Sequence, residues 1–484
     1  MAAHKHSLIL RMVVRTAVLT ISIMAEISVS AWAAPLANDF AGQAQAPVGN
    51  LRAGAARVDI TPTDLTNLNS FNGGKFTGVH DPIFARVLVL DDGTTMAAFV
   101  ALDLIEVGDT TDVRQRIQRE LSIPVDHILI TASHDHSAPR AGSITPGGLA
   151  HPATSETLAY SNVMYNKALS ALKEAKASLQ PAKFGFATGS VDVNVSRDQY
   201  VPGRGWGLGY DPNGVSDKTV SVLEFESSTG QPIAILFNYA VHSTAMFDTA
   251  VVSGDLAGAA ERTLERKIGG NVVALYTMGA AGDQIPKVTG TEGTPPPARQ
   301  GGQGPPRGQG GGPGGGGPGG GMGAPPSPER IEAQFEATQV QGYMLAAEVA
   351  RLSAAMQEMT GVVRIRAGER VVDCPVKQGT SQMADMKQQQ VTSMPLHLGL
   401  IQFNDVALVG VSGEVVTRIY WHLKKSSPLR NTVMLTIAND RLGYIADDAA
   451  YDMPLFEVNG SPLARGCAEN AIVNNLTEMI KSNE

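Results

Sequence analysis

The chain has 484 residues, 38 Lys and Arg against 46 Asp and Glu, and 43% hydrophobic residues, enough to bury a sizeable core. Charged residues reach only 17% because 52 glycines dilute them, and the pI near 5.7 argues against a nucleic-acid binder, which needs a clustered basic face. Collagen, a coiled coil and a small disulfide scaffold are excluded, and no apolar run beyond the N-terminus reaches the ~20 residues of a membrane span.

The N-terminus has the form of an export signal over residues 1–33. Lys5, Arg11 and Arg15 precede an apolar stretch from Ala17 to Trp32, and Ala31-Trp32-Ala33 offers a cleavage site. Glu26 interrupts the stretch; an uncleaved anchor helix is the alternative. Export implies a secreted or periplasmic protein with no membrane span after cleavage. In that oxidising setting Cys374 and Cys467 are able to form one disulfide, and two cysteines alone cannot build a metal cluster. Any metal site must then draw on His, Asp, Glu or Tyr.

Residues 34–52 read as a flexible lead-in to one large domain over 53–484. Strands are expected at Ala56–Ile60, Phe84–Leu90 and Met96–Leu104, a helix at Thr111–Leu121 on the spacing of Val113, Ile117 and Leu121, and a strand at His127–Ala132. The last three form a βαβ unit, which demands parallel pairing. A second unit follows: strand Ile233–Val241, helix Leu256–Ile268, strand Asn271–Thr277. The pattern continues with a helix over Glu329–Met359, either continuous or broken near Gly342, and strands at Val362–Cys374, Leu396–Phe403 and Val406–Val411. A helix near Val415–Lys424 and a strand at Val433–Ala438 complete it. The fold class is therefore α/β, with mixed sheets and βαβ units; the order of strands is not set by these patterns. Residues 290–327 are almost wholly Gly, Pro, Gln and small residues, too poor in apolar area to offset their ordering entropy, so disorder is expected there. That segment is either a linker between domains or a loop inserted in one.

Ser133-His134-Asp135-His136-Ser137 follows the strand His127–Ala132. In extended backbone, residues two apart point to one side, so both imidazoles are able to face one pocket at the carboxyl edge of a sheet. Two polar loop residues are the plainer alternative. His242 ends the strand Ile233–Val241 in the same way; a lone histidine there is more often structural, yet a second strand end raises the odds of convergence. After a third strand, Gly279-Ala280-Ala281-Gly282-Asp283 forms a glycine turn that presents a carboxylate.

In this order the motifs resemble the catalytic domain of the neutral/alkaline (non-lysosomal) ceramidase family, a group of zinc-dependent amidases. The resemblance runs from Gly54-Ala55-Ala56-Arg57-Val58-Asp59-Ile60-Thr61-Pro62 through Asp81-Pro82-Ile83-Phe84-Ala85-Arg86 to His134–Ser137. It continues with Tyr239-Ala240-Val241-His242, Ser253-Gly254-Asp255, Gly282-Asp283-Gln284-Ile285-Pro286, Gly413-Glu414 and Asn439–Tyr451. It implies a zinc ion held by His134, His242, Glu414 and Tyr444. Two of these lie beyond residues 290–327, which makes that segment an inserted loop.

The same resemblance assigns catalytic work to His136, which would donate to a developing oxyanion or carry a proton to the leaving amine. Arg197 falls where the family has an arginine near the carbonyl; a surface salt bridge with Asp198 is its alternative. Asp283 would orient a ligand histidine. Three departures stand out. Ile285 replaces the serine of the G-D-x-S-P turn, Phe456 aligns with a tyrosine expected to polarise the carbonyl, and a C-terminal β-sandwich domain is expected to be missing. The implied activity is hydrolysis of a linear amide in an N-acyl, lipid-like substrate through zinc-activated water. A zinc esterase or lactonase and a non-catalytic cell-envelope binding protein are the alternatives.

Overall fold

The computed structural model describes residues 51–70, 74–142, 154–246, 249–288, 327–377 and 391–482. All belong to one unit, Pro47–Glu484. The expected signal peptide, most of the lead-in and the glycine-rich segment through residue 326 lie outside the described residues. Leu51 is 1% exposed and Arg52 opens the first strand, so the folded domain includes at least two residues before the expected boundary.

In chain order the elements begin with β1 (Arg52–Asp59), β2 (Gly78–Val79), β3 (Phe84–Asp91), β4 (Met96–Leu102), α1 (Thr111–Leu121) and β5 (Ile128–Ala132). Next come α2 (Ser155–Ala177), β6 (Gln180–Ser190), β7 (Asn194–Val201), β8 (Gly205–Asp211), β9 (Thr219–Ser227) and β10 (Pro232–Tyr239). They are followed by β11 (Val251–Val252), α3 (Asp255–Ile268), β12 (Val273–Met278), β13 (Gln284–Pro286) and α4 (Pro328–Ala355). The chain continues with β14 (Ile365–Pro375), β15 (Ser393–Phe403), β16 (Val406–Val411), β17 (Glu414–Val415), α5 (Thr417–Ser426) and β18 (Asn431–Thr436). The last elements are β19 (Tyr444–Ile445), α6 (Phe456–Gly460) and α7 (Ala468–Lys481).

Eight strands form one mixed sheet in the order β12-β10-β9-β6-β1-β3-β4-β5, and four form a second, β14-β15-β16-β18. Alternation along the strands sorts the side chains into layers. Val87, Val89, Ala98 and Val100 face helices α1–α4, and Leu88, Leu90, Phe99 and Leu129 face the second sheet. Phe99, Phe184 and Phe225 meet Phe403 of β15 between the sheets, with ring centroids 5.8–6.2 Å apart. The other face of the second sheet is covered by α5 and α7 through Ile419, Leu423, Ile472 and Leu476. The result is a four-layer stack, helices–sheet–sheet–helices, and a mixed α/β fold as the patterns required.

The two expected βαβ units are present: β4 pairs with β5 and β10 with β12, both parallel. A third crossover, β16–α5–β18, is parallel as well. Parallel pairing makes both strands of a crossover end on the same edge of their sheet, so the chain leaves β5, β10 and β16 at strand carboxyl ends, into the segments that carry His134, His242 and Glu414. Of the two forms open for the helix at Gly342, the continuous one is present. A Cβ at Gly342 would lie 2.6 Å from Ala259 Cβ, so glycine there lets α4 approach α3 closely rather than ending the helix. Ser327 caps that helix through Oγ, which accepts from Arg330 N at 3.3 Å. Cys374 and Cys467 form the disulfide, which joins β14 to the start of α7. Among the described residues no helix is long and apolar enough to cross a membrane.

Candidate metal centre

His134 follows β5, but not as a continuation of the strand. Its φ is +58°, the left-handed region that costs a non-glycine residue about 1–2 kcal/mol. The strand-alternation argument for the two histidines is therefore corrected. They converge because the backbone reverses hand at His134 and turns at His136, which sets the two rings edge to face at 4.6 Å. His242, beyond β10, completes the group with its ring 4.5 Å from that of His134. The three imidazoles offer one ligand nitrogen each, all within 4.8 Å of one another and all buried.

Backbone carbonyls orient two of the rings. His134 Nδ1 donates to Ile105 O at 2.8 Å, and His242 Nδ1 donates to Gln284 O at 2.9 Å. In the neutral ring this leaves each Nε2 as a lone pair. His136 Nε2 lies 3.1 Å from His134 Nε2. Glu414 Oε2 closes the cluster 3.2 Å from His134 Nε2 and 3.4 Å from His242 Nε2. With both Nε2 atoms as lone pairs, this buried oxygen is left without a directed donor. A carboxylate oxygen facing imidazole lone pairs in a dry site needs a cation, and N/O donors of this kind suit zinc. The residues present fit a metal ion.

Charge is organised to match. Burial, reinforced by the neighbouring imidazoles, holds His136 well below the usual histidine range; burial and nearby Arg197 push His242 to about 3. Both rings are thus neutral at physiological pH. Burial opposes ionisation of Glu414, but its neighbours, Arg441 among them, hold the carboxyl well below its ordinary value.

Two glycines allow Glu414 to reach this position. A Cβ on Gly413 would lie 2.5 Å from Ile445 Cδ1, and one on Gly282 would lie 2.7 Å from Glu414 O. The parallel pair β17–β19 sets Tyr444 directly beside Glu414. Asn439 anchors that loop by bonding Ile130 N and Ile128 O on β5, at 2.8 and 2.9 Å. The Tyr444 ring packs against Phe456, centroids 5.4 Å apart, and the Arg197 guanidinium lies 5.1 Å from each ring.

Arg197 is buried, which removes the surface-salt-bridge alternative. Its Nε donates to Glu457 Oε1 at 2.6 Å, its Nη2 reaches Gly282 O, and its Nη1 stands 3.4 Å from His242 Nε2. Asp283 does not hold a ligand histidine; the acceptor for His242 is the carbonyl of the next residue, Gln284. The Asp283 carboxylate instead accepts from Thr417 N at 2.9 Å and Thr417 Oγ1 at 2.8 Å, pinning the start of α5. Burial raises its pKa to about 6. Asp283→Ala is expected to lower stability by about 1–3 kcal/mol, the cost of buried donors left unpaired, with a smaller loss for Asp283→Asn. Denaturant unfolding of both variants checks this, and identical midpoints would contradict it.

Sequence reasoning missed Glu457, Glu106, Arg140 and Arg441. Glu106 follows β4 as His134 follows β5, so the strand-end criterion would have found it. Arg441 lies within the tyrosine-bearing stretch already singled out. Nothing local marks Glu457.

These features define an α/β protein with a buried, histidine-rich candidate metal centre built from the segments that follow β5, β10 and β16. Residues 52–393 match the family model described as neutral/alkaline non-lysosomal ceramidase, N-terminal, and the chain belongs to that family. Neutral ceramidase B of Dictyostelium discoideum is 28% identical over 183 residues, 34% of this chain and 24% of the relative. Neutral ceramidase A of the same organism is 27% identical over 267 residues, 49% of this chain and 36% of the relative. The matched stretches thus span roughly a quarter to a third of these relatives' length. Among solved structures, a ceramidase complexed with C2 superposes with TM-score 0.69 at 16% identity, covering 90% of this chain and 75% of that one. Neutral ceramidase from Pseudomonas aeruginosa gives 0.67 at 16% identity, covering 90% and 74%. At such identity the likeness is one of fold.

Proposed function

We propose that this protein is an exported zinc-dependent amidohydrolase that cleaves the linear amide of an N-acyl, lipid-like substrate. Family membership supports the reaction class, and the Glu414 oxygen without a directed donor, facing the Nε2 atoms of His134 and His242, is the observation that carries the reading. His134, His242, Glu414 and Tyr444 hold the ion. Zinc there supplies Lewis-acid polarisation of a carbonyl and a water of lowered pKa.

The remaining work falls to side chains. His136, kept neutral by burial and the most exposed of the three histidines at 8%, accepts a proton from attacking water and passes it to the leaving amine nitrogen. Arg197, immobilised by Glu457 and Gly282 O, presents a fixed positive charge beside His242 and stabilises negative charge that develops on the carbonyl oxygen. Ile285 contributes no hydroxyl, and Phe456 brings an apolar ring against Tyr444, so ceramide is expected to be a weak substrate.

The test is hydrolysis of N-acyl amides, ceramide and matched esters by the purified protein, before and after chelation and with zinc restored. Amide cleavage that is lost with the metal and recovered with zinc is expected. Cleavage of esters alone would make the protein an esterase, and ligand binding with no turnover would make it a binding protein; robust ceramide turnover would refute the substrate argument.

A further inference from the structure

The loaded centre would have a cationic neighbour that the chemistry above leaves unused. Arg441 pairs with Glu106, and its Nη2 lies 3.7 Å from Glu414 Oε1. Arg140, four residues past His136, reaches the same Glu106 at 3.2 Å. Arg140 and Arg441 thus share Glu106, and Arg441 also lies within ion-pair distance of Glu414. They also sit nearer to solvent than Arg197: the side chains of Arg441 and Arg140 are 18% and 24% exposed, against 8% for Arg197.

Arg197 spends all three of its nitrogens on Glu457, Gly282 and the His242 face, whereas Arg441 Nε has no hydrogen-bond partner in the structure. Neutralising Glu106 does not require a second arginine. The planar fork of arginine matches a carboxylate.

We propose that Arg441, braced by Glu106 and Arg140, binds a carboxylate on the amine half of the substrate, which makes N-acyl amino acids the preferred class. This rests on the amide-hydrolase reading. The closeness of Arg441 to Glu414 selects an α-carboxylate, because that group is separated from the scissile nitrogen by a single carbon. A phosphorylated head group would carry its charge several bonds farther out.

The experiment compares an N-acylglycine with the N-acylethanolamine of the same chain, which differs in replacing the carboxylate with a hydroxymethyl group. Binding is measured by calorimetry with and without zinc, which separates recognition by arginine from coordination to the metal, and turnover is followed in the same samples. The wild-type protein is expected to bind the acylglycine about 10–100-fold more tightly in both states, as one charge-assisted pair allows. Arg441→Gln should abolish the preference and Arg140→Gln should reduce it, and Arg441→Lys should retain part of it. Equal binding of the two ligands by the wild type, a preference seen only with zinc, or a preference that survives Arg441→Gln would overturn the proposal. Selective binding with no cleavage of either ligand would uphold the anion site and refute the amide-hydrolase reading, so the two fail separately.

Discussion

Alanine at His134 or His242 is expected to lower zinc affinity by more than ~100-fold, the upper end of what loss of a merely supporting residue costs. Each ring aims Nε2 at the same buried carboxylate oxygen and is held by a carbonyl on its other nitrogen, so no neighbour is able to replace it. His134 needs a particular control, since its backbone is left-handed. Asparagine tolerates that conformation better than alanine, so His134→Asn removes the imidazole with less backbone strain. Zinc analysis after equilibrium dialysis checks the affinity. Thermal unfolding provides a second measure: zinc at ~1,000 times its Kd would stabilise the native wild type by about 4 kcal/mol, and this gain should vanish in the variants. Full occupancy in both folded variants would rule out the ligand set.

Replacing His136 with alanine should lower kcat by about 10²–10⁴-fold while zinc content stays near that of the wild type. The separation of these two readouts is the point of the test. His136 lies close enough to His134 to be a ligand, and the three histidines alone form a plausible site. Retained zinc with lost turnover assigns His136 to proton transfer. Zinc lost together with activity would move it into the ligand set, and unchanged kcat would leave proton transfer to a group other than His136.

Much of the frame was legible because it is local. Helix α1 was expected over the residues it occupies, since Val113, Ile117 and Leu121 repeat at helical spacing and are all buried. The strands of both expected βαβ units end within a few residues of the predicted places. Helix α2 and strands β6–β9 were not anticipated. Strands β6 and β9 pair antiparallel across a long stretch of intervening chain, and β6 mixes buried with half-exposed residues, so neither shows a clean period.

At the site, the order of His134, His242, Glu414 and Tyr444 along the chain was enough to suggest convergence. The details of each environment were not. Arg197 and Asp198 are neighbours in sequence, yet the acceptor for Arg197 Nε is Glu457, 260 positions away. Asp283 sits beside the residue that supports His242, but its own carboxylate turns to Thr417.

The sequence by itself determined the α/β class, the parallel units and the residues capable of metal chemistry. Those follow from spacing along a few residues and from the donor atoms each side chain carries. Only the tertiary structure decided that the segments after β5, β10 and β16 meet, that His134 turns through a left-handed backbone, and that Glu106 draws Arg140 and Arg441 together. Those features depend on burial and on contacts between distant segments, where the loss of water makes one charge seek another; no local pattern encodes the partner it finds.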